Sequence, residues 1–348
     1  MVYELVSRLD KRELNIEVLA VIGGGKMLDE FKEVVPVRLL GHVENYRSLK
    51  GRVKWILTAP IIFIRTIAYL SYAKPDIVVT SLYHADLFGI TAARLTGIKD
   101  RVIIQHDVHK LGLLRKILKR GLAIKWATRY VAISNSVKNF LIDYFGANER
   151  RIRVIRNGID VKRFKFARKD LNTEEVVIGS VGRLEKEKGY ATLIHALKLL
   201  KEKGIEPRVI IVGGGSEKEK LKNEADNYGL NIEWVGVVKD PIPYLSKMDI
   251  VVIPSLEEGF GLTVAEALAA EKVVIASNLP AINDVILDKK NGHLFEPGDV
   301  NDLTDKLLYL LQNNKHLISA KKDVEKWAAE KMFDLDISKT INEYENFL

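Results

Sequence analysis

Four side chains in the second half of the chain have the types and spacing for work on a phosphorylated, hydroxyl-rich ligand. Glu258 and Glu266 lie within PSLEEGFGLTVAEALA (254–269), on either side of a Gly259-Phe260-Gly261 turn. Arg183 and Lys188 flank a shorter turn in SVGRLEKEKGYATLIHAL (180–197), which ends at Gly189. A carboxylate accepts hydrogen bonds from the hydroxyls of a ribose or a sugar. A guanidinium presents a planar fork to two phosphate oxygens, and an ammonium adds a point charge. Acids beside cations therefore suit hydroxyl recognition next to a diphosphate. The alternative is a plain strand–turn–helix with solvated acids, and cations that belong to the mixed-charge run EKEK.

The elements that would position these residues are legible. The segments 249–254 (DIVVIP) and 176–179 are short, apolar and β-branched, as buried strands are. Each feeds a Gly-containing turn and then a helix, the geometry that aims backbone N–H groups and a positive helix end at an anion. Glu258 then sits in the turn, Glu266 about one turn into the helix, and the N–H groups of Phe260, Gly261 and Leu262 line the junction. Gly213-Gly214-Gly215 follows a third strand at 208–212, either as a tight turn or as a ligand-facing one.

The same alternation runs through the chain. Strands are expected at 16–22, 35–40, 76–81, 101–105, 130–133 and 153–155, and again at 176–181, 208–212, 232–235, 250–253, 273–276 and 292–295. Helices fill the gaps, among them 54–72, 85–96, 111–127 and 136–145. This is the pattern of an α/β protein with parallel, doubly wound sheets. A polar, charged stretch at 166–174 reads as a linker, and no repeat is visible beyond the shared topology.

The 348 residues are enough for two α/β domains with proper cores. There is no cysteine, which excludes a disulfide scaffold and thiolate metal ligands and fits a reducing cytoplasm. The net charge of +8 is unevenly spread. From Lys99 to Lys169 there are 19 Lys and Arg against 5 Asp and Glu, so the remainder of the chain is acidic. Nucleic acid is not expected as a partner, since no zinc spacing, RNP-type strand or helix-turn-helix accompanies the charge. Within the basic zone, Leu111 to Tyr130 places Leu114, Ile117, Leu118, Leu122 and Trp126 on one helical face, flanked by Arg115, Lys116, Lys119, Arg120 and Lys125. Such a face either packs on the domain core or lies on an anionic membrane surface. The apolar stretch 53–72, interrupted by Pro60 and Arg65, reads as a core or interfacial helix.

Taken together, the two chemical stretches resemble the nucleotide-sugar half of the family 4 retaining glycosyltransferases of the GT-B fold. So do VGGGSEKEKLKNEA (212–225) and NGHLFEPGD (291–299), while AISNSVKNFL (132–141) and VIRNGIDVKRF (154–164) match the family's pattern at the end of its first domain. The likeness covers nearly the whole chain, in order.

The resemblance implies two Rossmann-like domains facing a cleft. These are an acceptor-side domain at 1–168, a donor domain at 169–330, and a C-terminal helix at 331–348 that recrosses to the first domain. It implies transfer of a sugar, with retention of configuration, from a nucleotide diphosphate sugar to an acceptor hydroxyl. The acceptor would be a glycan or a lipid-linked sugar of envelope polysaccharide or glycolipid synthesis, met in the cytoplasm or at the inner face of the plasma membrane. Arg183, Lys188, Glu258 and His106 become the catalytic set; Gly182, Gly213, Gly214, Phe260, Gly261, Leu262 and Glu266 bind the donor. His106, directly after the strand in VIIQHDVHK (102–110), occupies the carboxyl end of a parallel sheet, where ligands bind. Two cations on the leaving diphosphate make a metal or other cofactor unnecessary.

The chain departs from the family at Glu271-Lys272-Val273, where Gly-x-Pro is usual, and at Pro280-Ala281, where two glycines are usual; Asp284 stands where Glu is common. It also opens on a helix where the family opens on a strand and a Gly-rich turn, so the first domain is expected to lack both, with Gly23-Gly24-Gly25 no substitute. A non-catalytic GT-B-like nucleotide-sugar binding or scaffold protein, and a nucleotide-sugar epimerase of the same architecture, stay open as other readings.

Overall fold

The structure is a computed structural model that describes residues 2–10, 13–21, 26–41, 49–165 and 175–348. Gly23-Gly24-Gly25 and the linker at 166–174 lie outside the described residues. The chain forms two compact units, one of residues 1–156 with 340–348, the other of residues 157–339. These divisions differ from the 168/169 and 330/331 read from the sequence. The backbone explains the first difference: the Ile159 N–H donates to the Leu335 carbonyl at 2.9 Å, and the Ile159 carbonyl accepts from Ile337 N–H at 2.8 Å.

In the first unit, α1 (Val2–Arg8), β1 (Val18–Ala20), α2 (Lys26–Lys32), β2 (Val37–Leu39) and α3 (Leu49–Ala73) precede β3 (Ile77–Ser81). Next come α4 (Tyr83–Ala85) and α5 (Thr91–Leu95), joined by a π-helical turn at Asp86–Ile90. Then follow β4 (Asp100–Gln105), α6 (Leu113–Leu118) continuing into a second π-helical turn at Lys119–Ile124, β5 (Arg129–Ala132), α7 (Asn135–Phe145) and β6 (Ile152–Val154). All pairing is parallel, in two separate sheets: β1 with β2, and β3-β4-β5-β6. Val102–Ile104 and Tyr130–Ile133 are buried, as are Val137 and Leu141 of α7, whose N-terminus is capped by Ser134 Oγ accepting from Val137 N–H at 3.1 Å.

α3 bears out the helix expected at 54–72 and corrects its interruption. It is one continuous helix of 25 residues that runs through Pro60 and Arg65, and over Val53–Ala73 it is long and apolar enough to cross a membrane (mean hydropathy 1.5). Trp55, Ile62, Thr66 and Leu70 bury one face of it in the core of this unit, so it lies along the unit.

Lys119 corrects another expectation. Expected among solvated cations, it is buried, 3% exposed, and its Nζ meets Asp86 Oδ2 at 2.8 Å and donates to Gln105 Oε1 at 2.9 Å. Asp86 accepts from Thr80 Oγ1 at 2.8 Å, and Gln105 Nε2 donates to both the carbonyl and the carboxylate of Asp107. The two π-helical turns are thus tied to each other and to the loop that carries His106. Burial pushes the Asp86 carboxyl up, and Lys119 and Thr80 pull it down. Removing the cation leaves a buried carboxylate alone, so Lys119→Met should cost about 3 kcal/mol by chemical denaturation. A loss no larger than that of a surface Lys→Met control would show that the pair is not structural.

The second unit contains α8 (Val161–Phe164), β7 (Val177–Val181), α9 (Tyr190–Glu202), β8 (Arg208–Val212), α10 (Lys218–Asn227), β9 (Ile232–Gly236), α11 (Ile242–Leu245), β10 (Ile250–Ile253), α12 (Leu262–Ala269), β11 (Val273–Ser277), α13 (Pro280–Asn283), β12 (His293–Phe295), α14 (Val300–Leu311) and α15 (Asn314–Lys331). One parallel sheet has the order β12-β11-β10-β7-β8-β9. Its central strands β10 and β11 are buried at every residue, which is why they read as unbroken apolar runs. Leu193, Leu197 and Leu200 of α9 and Leu303, Leu307 and Leu310 of α14 share one core with Ile178, Ile211, Val252 and Ile275. Finally α16 (Ile337–Glu345) carries the chain back into the first unit, where Thr340 Oγ1 donates to the Arg156 carbonyl at 2.8 Å and Glu345 accepts from Asp10 N–H at 3.1 Å.

Candidate active site

The strand order of the second unit contains a reversal. From β7 the chain moves out through β8 and β9 on one side, then returns to lay β10, β11 and β12 on the other. In open parallel sheets, ligands bind at the carboxyl ends of the strands where the order reverses, here β7 and β10. Arg183 and Lys188 lie on the first loop, Glu258 on the second.

Three adjacent strands contribute turns that interlock. Gly182 N–H donates to the Val212 carbonyl and Leu184 N–H to the Gly214 carbonyl, each at 2.9 Å, which fastens the loop after β7 to the loop after β8. Gly213 has φ +143°, and a Cβ there would stand 1.8 Å from the Gly182 carbonyl oxygen. Leu256 N–H donates to the Glu187 carbonyl at 2.8 Å, which fastens the loop after β7 to the loop after β10. Gly189, at φ +64°, ends this contact; a Cβ there would fall 2.0 Å from the Pro254 carbonyl oxygen. Only glycine allows either approach.

Inside this frame, Lys188 Nζ lies 2.5 Å from Glu258 Oε1, with the two side chains 22% and 13% exposed. Ser255, itself buried, donates its Oγ hydrogen to the same carboxylate oxygen at 2.9 Å. The sequence named both charged partners and did not pair them; 70 residues separate them. Arg183 stands apart, more exposed, its guanidinium 3.2 Å from Glu187 Oε1.

Phe260 is buried and Gly261, at φ +86°, precedes α12 with no side-chain cap. Among the described residues no acceptor faces the N–H groups of Phe260, Gly261 and Leu262. An uncapped helix start with open donors is suited to an oxyanion or a sugar hydroxyl. Glu266 follows one turn later. Burial pushes its carboxyl up to about 7, against a smaller pull from Arg163. Arg163 belongs to α8, which packs on α12, and it also pairs with Asp240 at 2.9 Å.

Two residues of this site were missed in the sequence. Ser255 follows a buried strand by two residues, and a hydroxyl at that place is the available signal. Tyr190 opens α9 beneath the Gly182 turn, and burial raises its phenol to about 12.

His106 belongs to the first unit, in the loop after β4. Its Nε2 is buried without a hydrogen-bond partner, and burial lowers its pKa to about 4, so the ring is neutral near pH 7. It can offer a hydrogen bond to a neutral hydroxyl but no positive charge. The chain does contain one Asp-x-Asp sequence, Asp334-Leu335-Asp336. Asp334 pairs with Lys339 at 2.8 Å and Asp336 accepts from the Ser338 hydroxyl at 2.6 Å.

Comparison with known proteins bears on the family and the fold. The family model described as Glycosyltransferase Family 4 covers residues 1–163, and that described as Glycosyl transferases group 1 covers residues 161–327. The capsular polysaccharide biosynthesis glycosyltransferase CapM of Staphylococcus aureus is 29% identical over 331 residues, 87% of this chain and 82% of that protein. The N,N'-diacetylbacillosaminyl-diphospho-undecaprenol alpha-1,3-N-acetylgalactosaminyltransferase of Campylobacter jejuni is 24% identical over 74% of each chain. In fold, the chain matches the crystal structure of Anabaena HepE in complex with UDP with a TM-score of 0.80 at 18% identity, covering 99% of this chain and 94% of that one. With two parallel-sheet units of Rossmann type, the architecture is that of the GT-B class. Matched in succession by both models from its first residue to residue 327, the chain belongs to the family 4, group 1 glycosyltransferases.

Proposed function

We propose that this glycosyltransferase moves a sugar from a nucleotide diphosphate sugar to an acceptor hydroxyl with retention of configuration and without a metal ion. The observation that carries the reading is the Lys188–Glu258 pair at the strand-order reversal, beside the open N–H groups of Phe260, Gly261 and Leu262. A diphosphate is a stronger anion than one carboxylate, so its arrival draws Lys188 from Glu258 and frees the acid for the sugar's hydroxyls. Arg183, solvent-exposed on the same loop, adds a second cation. As the bond between the anomeric carbon and the phosphate oxygen breaks, its electron pair leaves on the diphosphate. The two cations stabilise that growing charge. The acceptor oxygen forms the new bond, and its proton leaves to the departing phosphate or to water. Glu266 holds ribose hydroxyls, with Gly182, Gly213 and Gly214 giving the nucleotide close access to backbone.

Support for retention is family membership. Support for metal independence is the cation pair Arg183 and Lys188, which can neutralise the leaving diphosphate. The capsular and undecaprenol-linked activities in the names of the relatives, and the basic first half of this chain, favour an envelope glycan or lipid-linked acceptor. They favour a cytoplasmic, membrane-peripheral setting as well.

A panel of nucleotide sugars, each with a lipid-linked and a soluble glycan acceptor, tests the reading by mass spectrometry, with NMR of the new anomeric centre. The expected product keeps the donor's configuration and forms undiminished in EDTA. An inverted product removes retention. A changed nucleotide sugar without acceptor identifies an epimerase, and no thermal shift with UDP, GDP or ADP identifies a non-catalytic scaffold.

A further inference from the structure

The outer face of α3 is apolar and open. Ile56, Leu57 and Ile64 are 68%, 70% and 64% exposed, and Val53 and Ile61 are exposed beside them, although the opposite face of the same helix is buried in the core. Core-facing helices show the reverse, a polar outer face. From Leu49 to Lys74 the chain has five Lys and Arg and no Asp or Glu.

α6 repeats these features. Leu113, Leu114 and Ile117 are exposed rather than packed on the core, the first at 76%, and no Asp or Glu occurs from Leu111 to Tyr130. The two faces are linked side chain to side chain. Trp55 of α3 stacks edge-on against His84 at 4.6 Å, His84 meets Tyr83 at 5.1 Å, and the Arg115 guanidinium of α6 lies over Tyr83 at 4.2 Å. Leu82, next to Tyr83, is 67% exposed and sits at φ +76°, a conformation that costs a non-glycine residue energy.

We infer that α3, Leu82 and α6 form one docking platform for the surface of an anionic phospholipid bilayer. The chemistry matches on both counts: leucine and isoleucine side chains enter the acyl boundary, and Lys54, Arg115, Lys116 and Arg120 meet lipid phosphates without an acidic neighbour on either helix. A helix with one face committed to the protein core lies in the interface and does not span. The platform deepens the proposed lipid-linked acceptor and rests on that reading for its purpose. It places the first unit, which carries His106, at the surface where such an acceptor resides.

Sedimentation of the full chain with unilamellar vesicles tests the inference, comparing phosphatidylglycerol/phosphatidylcholine mixtures with phosphatidylcholine alone. Binding to the anionic vesicles is expected, weakening as salt rises. Leu57→Ser/Ile61→Ser/Ile64→Ser on α3 and Leu113→Ser/Leu114→Ser on α6 should each reduce it about tenfold or more. Arg115→Glu/Lys116→Glu should reduce the preference for anionic lipid by a similar factor, about tenfold. All substituted positions except Lys116 are exposed, and circular dichroism confirms folding. Equal binding to both vesicle types, or an unchanged α3 variant, overturns the platform. A dimer in free solution that the α3 substitutions convert to monomer, with vesicle binding unaltered, assigns the face to a second copy and overturns it too. Nucleotide diphosphate binding by the same preparations separates the two claims. Vesicle binding without nucleotide binding keeps the platform and ends the transferase reading; the converse ends the platform alone.

Discussion

Lys188→Ala is expected to lower kcat about 1,000-fold while weakening nucleotide diphosphate affinity only about tenfold. The asymmetry follows from when the charge develops. In the ground state the diphosphate shares its charge between nucleotide and sugar links, and water screens part of it. In the transition state the leaving oxygen gains charge at the place Lys188 serves, and a partly enclosed cation acts there at low dielectric. The ammonium is 22% exposed, and before the donor arrives it is paired with Glu258, which also accepts from Ser255. Its loss also leaves Glu258, 13% exposed, as an uncompensated anion beside an incoming anion. Arg183→Ala should cost less, about 50-fold in kcat, because the guanidinium is 63% exposed and already shares an exposed pair with Glu187. Lys188→Arg should recover part of the loss. Pre-steady-state kinetics with a donor identified by the panel would measure both steps. Turnover of Lys188→Ala within tenfold of the parent, or an Arg183 effect larger than the Lys188 effect, would sink this division of roles.

That ranking of the two cations could not be read from the sequence. Arg183 and Lys188 look alike in GRLEKEKG, and either acid of the neighbouring run was free to pair with either cation. What separates them is the crossing of two loops, fixed by Gly189 against the Pro254 carbonyl and by Leu256 on Glu187. Elements set by local burial were legible. Arg208–Val212 and Ile250–Ile253 have the bounds expected of them, because their apolar β-branched runs end at Gly213 and Pro254, residues that break a strand. Elements set by distant partners were not. Lys119 sits in a basic run that reads as solvated, and its partner Asp86 lies 33 positions upstream in an apolar helix. Both occur in π-helical turns, which sequence periodicity does not register. α8 was hidden for a similar reason: Val161–Phe164 is too short to show a period, and its packing on α12 comes from 100 residues away. α2, seven residues of mixed charge and apolar character, has no capping signal in the sequence to announce it.

Glu266→Gln is expected to make the unliganded protein more stable and the enzyme less able to hold its nucleotide. The carboxyl ordinarily titrates at 4.5 and is pushed up to about 7 here, chiefly by burial. Between these values the folded state keeps a proton that the unfolded chain has released. Stability therefore falls as pH rises from 4.5 through 7, and levels off above. Partial exposure screens some of so large a shift, which leaves a gain for the glutamine variant on the order of 2 kcal/mol at pH 8. Near pH 4 both forms are neutral and the difference should vanish.

Binding should change in the opposite sense. An ionised carboxylate accepts from two adjacent hydroxyls, at about 1.5–2 kcal/mol for each charge-assisted bond. The neutral amide has one acceptor oxygen and a donor NH2 that faces donors, so affinity at pH 8 should drop several hundred-fold, on the order of 3–4 kcal/mol. The parent should bind more tightly as pH rises through about 7, and the variant should lose that component of the slope. Comparing the two proteins removes the titration of the ligand's own terminal phosphate near pH 6, which is common to both. Calorimetric unfolding at pH 4 and pH 8, with titration calorimetry of the matched nucleotide diphosphate across the same range, gives both quantities. Stability and affinity that move together, or a pH slope that survives the substitution, would mean that Glu266 is a buried structural acid and that the ribose is held elsewhere.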